Sequence, residues 1–239
     1  MAYQNIFERR EIKYLITKEQ REKICRSMSK YMTGDKYGKS TICNIYFDMP
    51  DYYLIRHSME KPVYKEKLRM RSYGIVSSDD TVFVELKKKY KSVVYKRRIS
   101  MTEKEAMQYL CLGNTLQNPS QISREIDYFC SFYKGIHPAM FISYDREAYY
   151  AADDDSFRVT FDENILWRDY DFSLTSGIYG EPILLPGQSL MEIKTVSSIP
   201  LWMSSILTEN HIYKTSFSKY GYAYESMCRQ NLKIVGGNS

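Results

Sequence analysis

The sequence predicts an α+β fold in which a mostly antiparallel β-sheet closes into a barrel, with a charged interior and helices packed outside. Strand-like segments alternate apolar and polar residues with a period of two, which is typical of half-buried antiparallel strands. These segments come in runs joined by short turns, without the long crossovers of regular βαβ units. Amphipathic helical segments between the runs can cover the apolar side of the sheet.

Enough segments show strand periodicity to close a sheet. They cover residues 7–16, 41–48, 63–73, 81–89, 93–100, 139–150, 157–167 and 190–195. The three segments between residues 63 and 100 are separated only by short turns, and therefore predict an antiparallel meander.

Helix starts are indicated by a Thr with Gln or Glu three residues further on, the pattern of a capping box. Thr17 with Gln20 predicts a helix that ends near residue 32, and Thr102 with Glu105 predicts a helix that Gly113 closes. Three further helices are predicted over residues 120–133, 201–209 and 218–229.

Composition is that of a folded protein, because 44% of the 239 residues are hydrophobic and 26% are charged. No internal repeat or linker-like stretch divides the chain. We therefore expect residues 1–235 to form a single domain, followed by a flexible tail over residues 236–239. The net charge of +5 favours an anionic partner, without indicating which one.

The compartment is predicted from what the sequence lacks. The five cysteines are odd in number and show no C-x-x-C spacing, which disfavours a disulfide framework or a cysteine zinc site. Residues 1–14 lack the apolar run of a signal peptide, and no segment reaches the roughly 18 apolar residues of a membrane span. We expect a cytoplasmic protein, whose role at any membrane would require a membrane-protein partner in trans.

The charges on the predicted strands are concentrated on single faces. In the segment 63–73, alternation places Lys65, Lys67, Arg69 and Arg71 on one face. Other strands place charged residues together in the same way: Glu11 with Lys13, Glu85 with Lys87 and Lys89, Arg158 with Asp162, and Glu192 with Lys194.

Two interpretations fit such faces. An ordinary antiparallel sheet has one wet face, and this is the more common case. However, basic residues on neighbouring strands repel each other, so the face has to be fully solvated or has to line a space that holds anions. Arg binds phosphate with a planar fork, Lys adds point charge, and interspersed carboxylates suit Mg²⁺ or Mn²⁺.

The chain contains, in this order, the stretches FERREIKYLI, IYFDMPDYYLIR, KEKLRMRSYG, VFVELKKKYKSVVYKRR, SYDREAYYA, FRVTFDENILWR, LMEIKT and SFSKYGYAY. This ordered set resembles the VTC (vacuolar transporter chaperone) catalytic domain of the triphosphate tunnel metalloenzyme, or CYTH-like, superfamily. The resemblance implies a closed, eight-stranded antiparallel tunnel that binds a nucleoside triphosphate and a divalent metal, Mn²⁺ or Mg²⁺. It also implies synthesis of inorganic polyphosphate from the γ-phosphate of ATP.

Site residues are carried over from this resemblance together with the inward strand faces. The implied catalytic residues, which would hold the triphosphate, are Arg69, Arg71, Lys87, Arg146 and Lys219. The implied substrate-binding residues are Lys13, Lys67, Lys96, Arg158, Lys194 and Ser218. The implied metal ligands are Glu192 and Glu11. Ser218 and Lys219 alone would be read as a helix cap beside a solvated lysine.

One departure from the superfamily bears on the reaction. The hydrolase and cyclase branches carry E-x-E-x-K on the first strand, whereas this chain has Arg9 in place of the first glutamate. The change removes a metal ligand and adds charge for phosphate, which favours the polymerase branch over a triphosphatase.

The sequence therefore predicts a phosphotransferase, a polyphosphate polymerase with ATP and inorganic polyphosphate as its partners. One alternative is hydrolysis of a triphosphate or tripolyphosphate in the same tunnel. Another is a module that binds polyphosphate without catalysis. Nucleic acid is not an expected partner, because the basic residues alternate with carboxylates along strands instead of forming an outward stripe.

Overall fold

The computed structural model describes residues 10–91, 93–152, 156–196 and 198–236. The described strands are β1 (Arg10–Thr17), β2 (Met32–Gly34), β3 (Ser40–Asp48), β4 (Tyr64–Tyr73), β5 (Thr81–Tyr90), β6 (Val93–Thr102), β7 (His137–Ala151), β8 (Arg158–Arg168), β9 (Glu181–Pro182), β10 (Gln188–Thr195) and β11 (Lys214–Thr215). The described helices are α1 (Lys18–Met28), α2 (Tyr53–Met59), α3 (Glu103–Leu112), α4 (Gln121–Phe132), α5 (Leu201–Glu209) and α6 (Lys219–Gly236).

The predicted strands and helices are present, most with ends shifted by only one to three residues. The antiparallel meander is confirmed as β4, β5 and β6. Helix α1 ends at Met28, not near residue 32, because Met32–Gly34 pairs with β7 instead of continuing the helix. Helix α2 and strands β2, β9 and β11 were not predicted. Arg9 and residues 237–239 lie outside the described residues.

The first of two compact units comprises residues 10–40, Asp145–Asn164 and Leu184–Phe217. Its strands follow the order β11, β1, β10, β8 and β7, with β2 paired to β7. Helices α1 and α5 pack on the apolar side of these strands. The core formed there includes Ile24, Met28, Val159, Ile193 and Met203.

The second unit comprises Thr41–Tyr144, Ile165–Ile183 and residues 218–236. Its strands follow the order β7, β3, β4, β5 and β6, while β9 pairs with β8. Helices α3 and α4 cover the apolar side, where Leu68, Val84, Leu86 and Phe129 are among the buried core residues. The expected packing of helices against an apolar sheet face is therefore present within each unit.

The expectation of a closed, eight-stranded barrel is wrong. The described strands number eleven, and their path runs from β11 to β6 without a pairing that joins these two ends. Strand β6 has no buried residue and carries Lys96, Arg97 and Arg98 in succession. Charged side chains on an edge strand disfavour pairing with a further strand. In the second unit, Lys67, Lys87 and Lys96 lie on the same face of β4, β5 and β6.

The helix ends follow the predicted capping chemistry. Both capping boxes are confirmed, at Thr17 before α1 and at Thr102 before α3. Gly113 closes α3 in the left-handed conformation, with a φ of 71°. Within the described ranges, no helix combines the length and the apolar composition that crossing a membrane requires.

The Thr102 cap gives a first test of the fold. Replacing Thr102 by Ala removes the side chain that accepts the Glu105 backbone N–H. We expect the free energy of unfolding to fall by about 1 kcal/mol, measured by urea denaturation. Thr102→Ser keeps the hydroxyl and serves as the matched control. A loss of equal size in both variants would show that the hydrogen bond is not the cause.

Candidate functional site

Alternation on strands β4, β5 and β6 places basic side chains on one face of the second unit. Lys67 lies opposite Lys87, which in turn lies opposite Lys96. This basic face consists of Lys65, Lys67, Arg69, Arg71, Lys87, Lys89, Lys96 and Arg98, with Glu85 among them. Like charges directly opposite each other destabilise a sheet, so the face requires a counter-charge.

Glu85 supplies this counter-charge and is only 1% exposed. Its carboxylate accepts hydrogen bonds from Arg69 Nε at 2.8 Å and Arg98 Nε at 2.7 Å, and it lies 2.8 Å from Lys96 Nζ. Burial alone would raise the pKa of Glu85, but the charges of Arg69 and Arg71 and the Lys96 hydrogen bond together lower it. Glu85 is therefore an ionised anchor for three cations.

The arginines of β4 are also held from strands β3 and β7. Arg71 Nε donates to Asn44 Oδ1 at 2.8 Å, and its terminal nitrogen donates to the Tyr144 hydroxyl at 3.0 Å. Arg69 donates to the Tyr46 hydroxyl at 3.1 Å. These contacts fix the guanidinium planes before any anion binds, which lowers the entropy cost of binding.

Helix α6 begins beside this face. Ser218 Oγ accepts the Gly221 backbone N–H at 3.2 Å and also accepts Lys67 Nζ at 3.2 Å. The Lys219 ammonium lies 4.5 Å from the centroid of the Tyr144 ring. Because Tyr144 also contacts Arg71, the start of α6 and the β4 arginines belong to one network. The helix dipole adds positive potential at this end.

Asp48 holds the start of α6 in place. It accepts the Tyr220 hydroxyl at 2.8 Å and the backbone N–H groups of Leu54 and Ile55 at 2.8 and 3.0 Å. Tyr220 stacks on Tyr46 with ring centroids 4.8 Å apart. Burial raises the pKa of Asp48, although these hydrogen bonds act in the opposite direction. A buried carboxylate thus fastens α6 and α2 to strand β3.

The second unit brings seven of the predicted site residues into one region. They are Lys67, Arg69, Arg71, Lys87, Lys96, Ser218 and Lys219. Side-chain contacts join the set except for Lys87, which is exposed and makes no hydrogen bond or ion pair with a described residue.

The first unit holds the other six predicted residues on a face of mixed charge. This mixed-charge face consists of Glu11, Lys13, Arg146, Arg158, Thr160, Asp162, Glu192 and Lys194. Glu192 is 5% exposed and is its centre. Its carboxylate lies 3.5 Å from Lys13 Nζ, 3.6 Å from Arg146 and 3.3 Å from Lys194 Nζ. Lys13 also lies 3.3 Å from Glu11.

Arg146 and Lys194 differ in how fully they are compensated. Arg146 binds Asp162 through two hydrogen bonds of 2.6 and 2.7 Å, a geometry that fixes the guanidinium plane. Burial lowers the pKa of Lys194 to about 8, against the opposing effect of Glu192.

Two buried polar atoms on this face lack a partner. Arg158 Nε and Thr160 Oγ1 make no hydrogen bond with any described residue. Arg158 lies opposite Lys194 in register, but its guanidinium stacks over Tyr150 at 4.6 Å and lies 4.0 Å from Asp35. Buried polar atoms of this kind are usually satisfied by ordered water.

The carboxylates of this face do not fit a resident metal cage. The described residues contain no group of three or more His, Cys, Asp or Glu that could hold an ion. Glu11 and Glu192 both face Lys13, and a cation at Glu192 would compete with three positive side chains. A single carboxylate does suit Mg²⁺ or Mn²⁺ whose other ligands are phosphate oxygens and water.

Four contributors were not assigned a role from the sequence: Glu85, Arg98, Asn44 and Tyr144. Period-two alternation does place Glu85 beside Lys87 and Arg98 beside Lys96. It does not reveal that one carboxylate serves three cations, because this depends on the register between three strands. Asn44 acts through Arg71, a contact between neighbouring strands β3 and β4.

A family model described as the VTC domain matches residues 8–228 of the chain. The chain is also similar to a solved structure from Bacillus halodurans, a candidate adenylate cyclase, with 14% identity and a TM-score of 0.54, covering 87% of this chain and 92% of that chain. No curated protein gives a significant match.

A second solved structure is a candidate adenylyl cyclase from Hippeastrum with a dominant triphosphatase activity. It is 14% identical, has a TM-score of 0.55, and the match covers 90% of this chain and 95% of that chain. Likeness at these identities shows a shared fold.

The Glu85 anchor predicts a pH-dependent stability. Glu85→Gln leaves Arg69, Lys96 and Arg98 without their shared carboxylate, and we expect a loss of about 3 kcal/mol at pH 7. Because the folded-state pKa of Glu85 is lowered, its contribution is complete above the unfolded pKa of about 4.3 and is lost as the pH falls further. Urea denaturation of both proteins across this range measures the difference.

The matched control is Glu125→Gln on the opposite face. Glu125 contacts Arg97 at 3.2 Å and Lys88 at 3.9 Å, and its side chain is 25% exposed. We expect a loss below about 1 kcal/mol. Equal losses in the two variants would contradict a special role for Glu85.

Proposed function

Because the chain belongs to the VTC domain family, we propose that it is a polyphosphate polymerase that transfers the γ-phosphate of ATP onto a growing inorganic polyphosphate chain. The basic face is the observation that supports this proposal most. Its Lys and Arg side chains share one internal carboxylate, Glu85, so the face keeps an excess of positive charge. A chain of phosphates offers the matching excess of negative charge.

The triphosphate is held by the second unit in this proposal. Arg69 and Arg71 supply planar forks that bind phosphate oxygens bidentately, while Lys67 and Lys219 add point charges. Ser218 and the first backbone N–H groups of α6 contribute donors at a helix start. Lys87 and Lys96 extend the positive potential along strands β5 and β6.

The mixed-charge face contributes further phosphate contacts. Lys13, Arg146 and Lys194 all contact Glu192, while Arg146 is also bound by Asp162 and Lys13 lies close to Glu11. Arg158, whose guanidinium lies over the Tyr150 ring, adds a further positive charge to this face. We assign these groups to the polyphosphate chain.

The cofactor of the proposed reaction is a divalent metal ion. Mg²⁺ or Mn²⁺ would neutralise charge on the phosphate oxygens, and Glu192 would hold it, supported by Glu11. The protein side chains described above bind and orient the phosphates in line for the transfer.

The transfer needs no base from the protein. An ionised oxygen of the acceptor phosphate forms a bond to the γ-phosphorus, the bond from that phosphorus to the bridging oxygen breaks, and ADP leaves. Charge and phosphate count balance, and the chain grows by one residue. Positioning and charge stabilisation by Arg and Lys then account for the catalysis.

Hydrolysis is the second candidate, because the Hippeastrum protein of similar fold has a dominant triphosphatase activity. The same groups would hold the triphosphate, and water would replace the acceptor phosphate. Products distinguish the two reactions.

The deciding experiment incubates the purified chain with ATP and Mn²⁺ or Mg²⁺, followed by a polyphosphate-staining gel and a parallel assay of free phosphate. We expect a ladder that resists nuclease and is degraded by exopolyphosphatase. Free phosphate without a ladder would assign the protein as a triphosphatase. Tight binding without either product would assign a binding module.

Lys219 tests the start of helix α6. We expect Lys219→Met to lower kcat about a hundredfold, because it removes a charge from the transferring phosphate. Lys104→Met, at an exposed position of α3, is the matched control and keeps full turnover. Turnover by Lys219→Met equal to that of the control would remove α6 from the proposed site.

Glu192 tests the metal assignment. We expect EDTA to abolish turnover and Glu192→Gln to raise the Mn²⁺ concentration that gives half-maximal rate. Glu125→Gln, which removes a carboxylate from another face, leaves this concentration unchanged. If Glu192→Gln behaves like the wild type in turnover and in metal dependence, Glu192 is not a metal ligand.

A further inference from the structure

The end of the β4, β5 and β6 hairpins forms a surface with a composition of its own. The Lys91 backbone N–H donates to the Val63 carbonyl at 2.7 Å, so the start of β4 and the turn between β5 and β6 lie side by side. We call residues 61–64, 88–91 and 93–95 the hairpin tip. It belongs entirely to the second unit.

The hairpin tip exposes apolar and aromatic side chains. The exposed fractions are 61% for Val63, 41% for Tyr64, 49% for Tyr90, 43% for Val94 and 41% for Tyr95. Tyr64 lies directly opposite Tyr90 in register, so these two side chains are neighbours on one face of the hairpin. Turns normally carry Gly, Asn, Asp and Ser, and a concentrated apolar patch indicates an interaction surface.

The aromatic patch continues onto helix α4. Burial and the neighbouring Glu66 carboxylate raise the pKa of both Tyr64 and Tyr133, so Glu66 lies close to both side chains. Phe132 packs against Tyr133 with ring centroids 4.9 Å apart, and Tyr128 lies 6.1 Å from Phe132. Tyr128 and Phe132 are 68% and 62% exposed, so this flank is also open to a partner.

The charge of the tip has one sign. It contains Lys61, Lys88, Lys89 and Lys91, and its sequence includes no Asp or Glu. Of the neighbouring carboxylates, Glu66 is 8% exposed and lies 3.7 Å from Lys88, Glu125 lies 3.9 Å from Lys88, and Glu60 lies beside His57. The partner of this surface therefore has to be both anionic and able to accept Tyr and Val side chains.

We propose that the hairpin tip docks on the surface of an anionic lipid membrane. Tyr rings place an apolar body and a polar hydroxyl at the level of the lipid headgroups, and Lys side chains extend their charge to lipid phosphates. Each Lys near such a surface strengthens binding, and valines at the tip enter the apolar boundary. This inference does not depend on the proposed polymerase activity.

A protein partner fits the tip less well. Lysine is depleted in protein interfaces, whereas the tip carries four among eleven residues. A second copy of the chain would bring the same lysines face to face, which is repulsive. Val94 and Tyr95 lie on opposite faces of β6, so apolar side chains project from both sides of the tip. Such a tip is suited to insert into a lipid surface, whereas a protein interface would contact only one face.

Vesicle flotation with the full chain tests the proposal. The probes are vesicles of phosphatidylcholine alone and vesicles with phosphatidylglycerol added as the anionic lipid. We expect binding to the anionic vesicles, little binding to the neutral ones, and release when salt is raised from about 0.05 M to about 0.5 M. Absence of binding to anionic vesicles at low salt would overturn the proposal.

Matched variants assign the binding to the tip. We expect Lys91→Gln to weaken vesicle binding about fivefold, whereas Lys104→Gln on α3 has no effect. Tyr90→Ser weakens binding severalfold, whereas Tyr213→Ser, at a position 76% exposed in the first unit, does not. Thermal unfolding of each variant verifies its fold.

Three outcomes would contradict the assignment. Equal binding by the tip variants and their controls would place the membrane contact elsewhere. Concentration-dependent dimerisation that Tyr90→Ser abolishes, without vesicle binding, would assign the tip to a second copy. Loss of ATP turnover in Lys91→Gln together with loss of vesicle binding would assign this lysine to the phosphate site.

Discussion

Repulsion between cations on neighbouring strands is the constraint on which the second unit depends. One row of lysines crosses all three strands β4, β5 and β6, with Lys67, Lys87 and Lys96 directly opposite one another. Glu85 offsets part of this repulsion from the adjacent row, and the apolar core on the other side of the sheet stabilises the strands. The remaining excess of positive charge opposes folding and attracts anions. The same charges therefore lower the stability of the unit and raise its affinity for an anion.

Rigidity follows from the same arrangement. Asn44 and Tyr144 hold Arg71 in place, while Tyr46 and Glu85 hold Arg69. All four of these partners are buried. A phosphate that binds here meets donors already in place, which is the condition for electrostatic stabilisation of a transferring group. In the first unit, Glu192 has a similar central role because three cations share it, and two of them, Arg146 and Lys13, also contact Asp162 and Glu11.

Sequence periodicity predicted much of this and failed for identifiable reasons. Alternation assigns side chains to faces, so the grouping of Lys67, Arg69 and Arg71 followed from spacing alone. The hub role of Glu85 depends on register across three strands, which spacing does not determine. Helix α2 was missed because it starts after Tyr52, at a φ of 57°, with no side-chain cap. Sheet closure was predicted wrongly because it depends on pairing between distant edges.

The role of a lysine in the β4, β5 and β6 hairpins depends more on its position along the strand than on the face of the sheet that it occupies. Near the middle of the strands, Lys96 lies 2.8 Å from Glu85, and its charge is used to order the sheet. Towards the tip, the Lys91 ammonium lies 5.5 Å from the centroid of the Tyr90 ring, and no ion pair joins it to a carboxylate among the described residues. A charged side chain that pairs with an opposite charge inside the protein helps to order the sheet. A charged side chain without such a pair, next to exposed aromatic rings, attracts an anionic partner instead. The same strands can therefore hold phosphate along their length and contact a separate surface at their end.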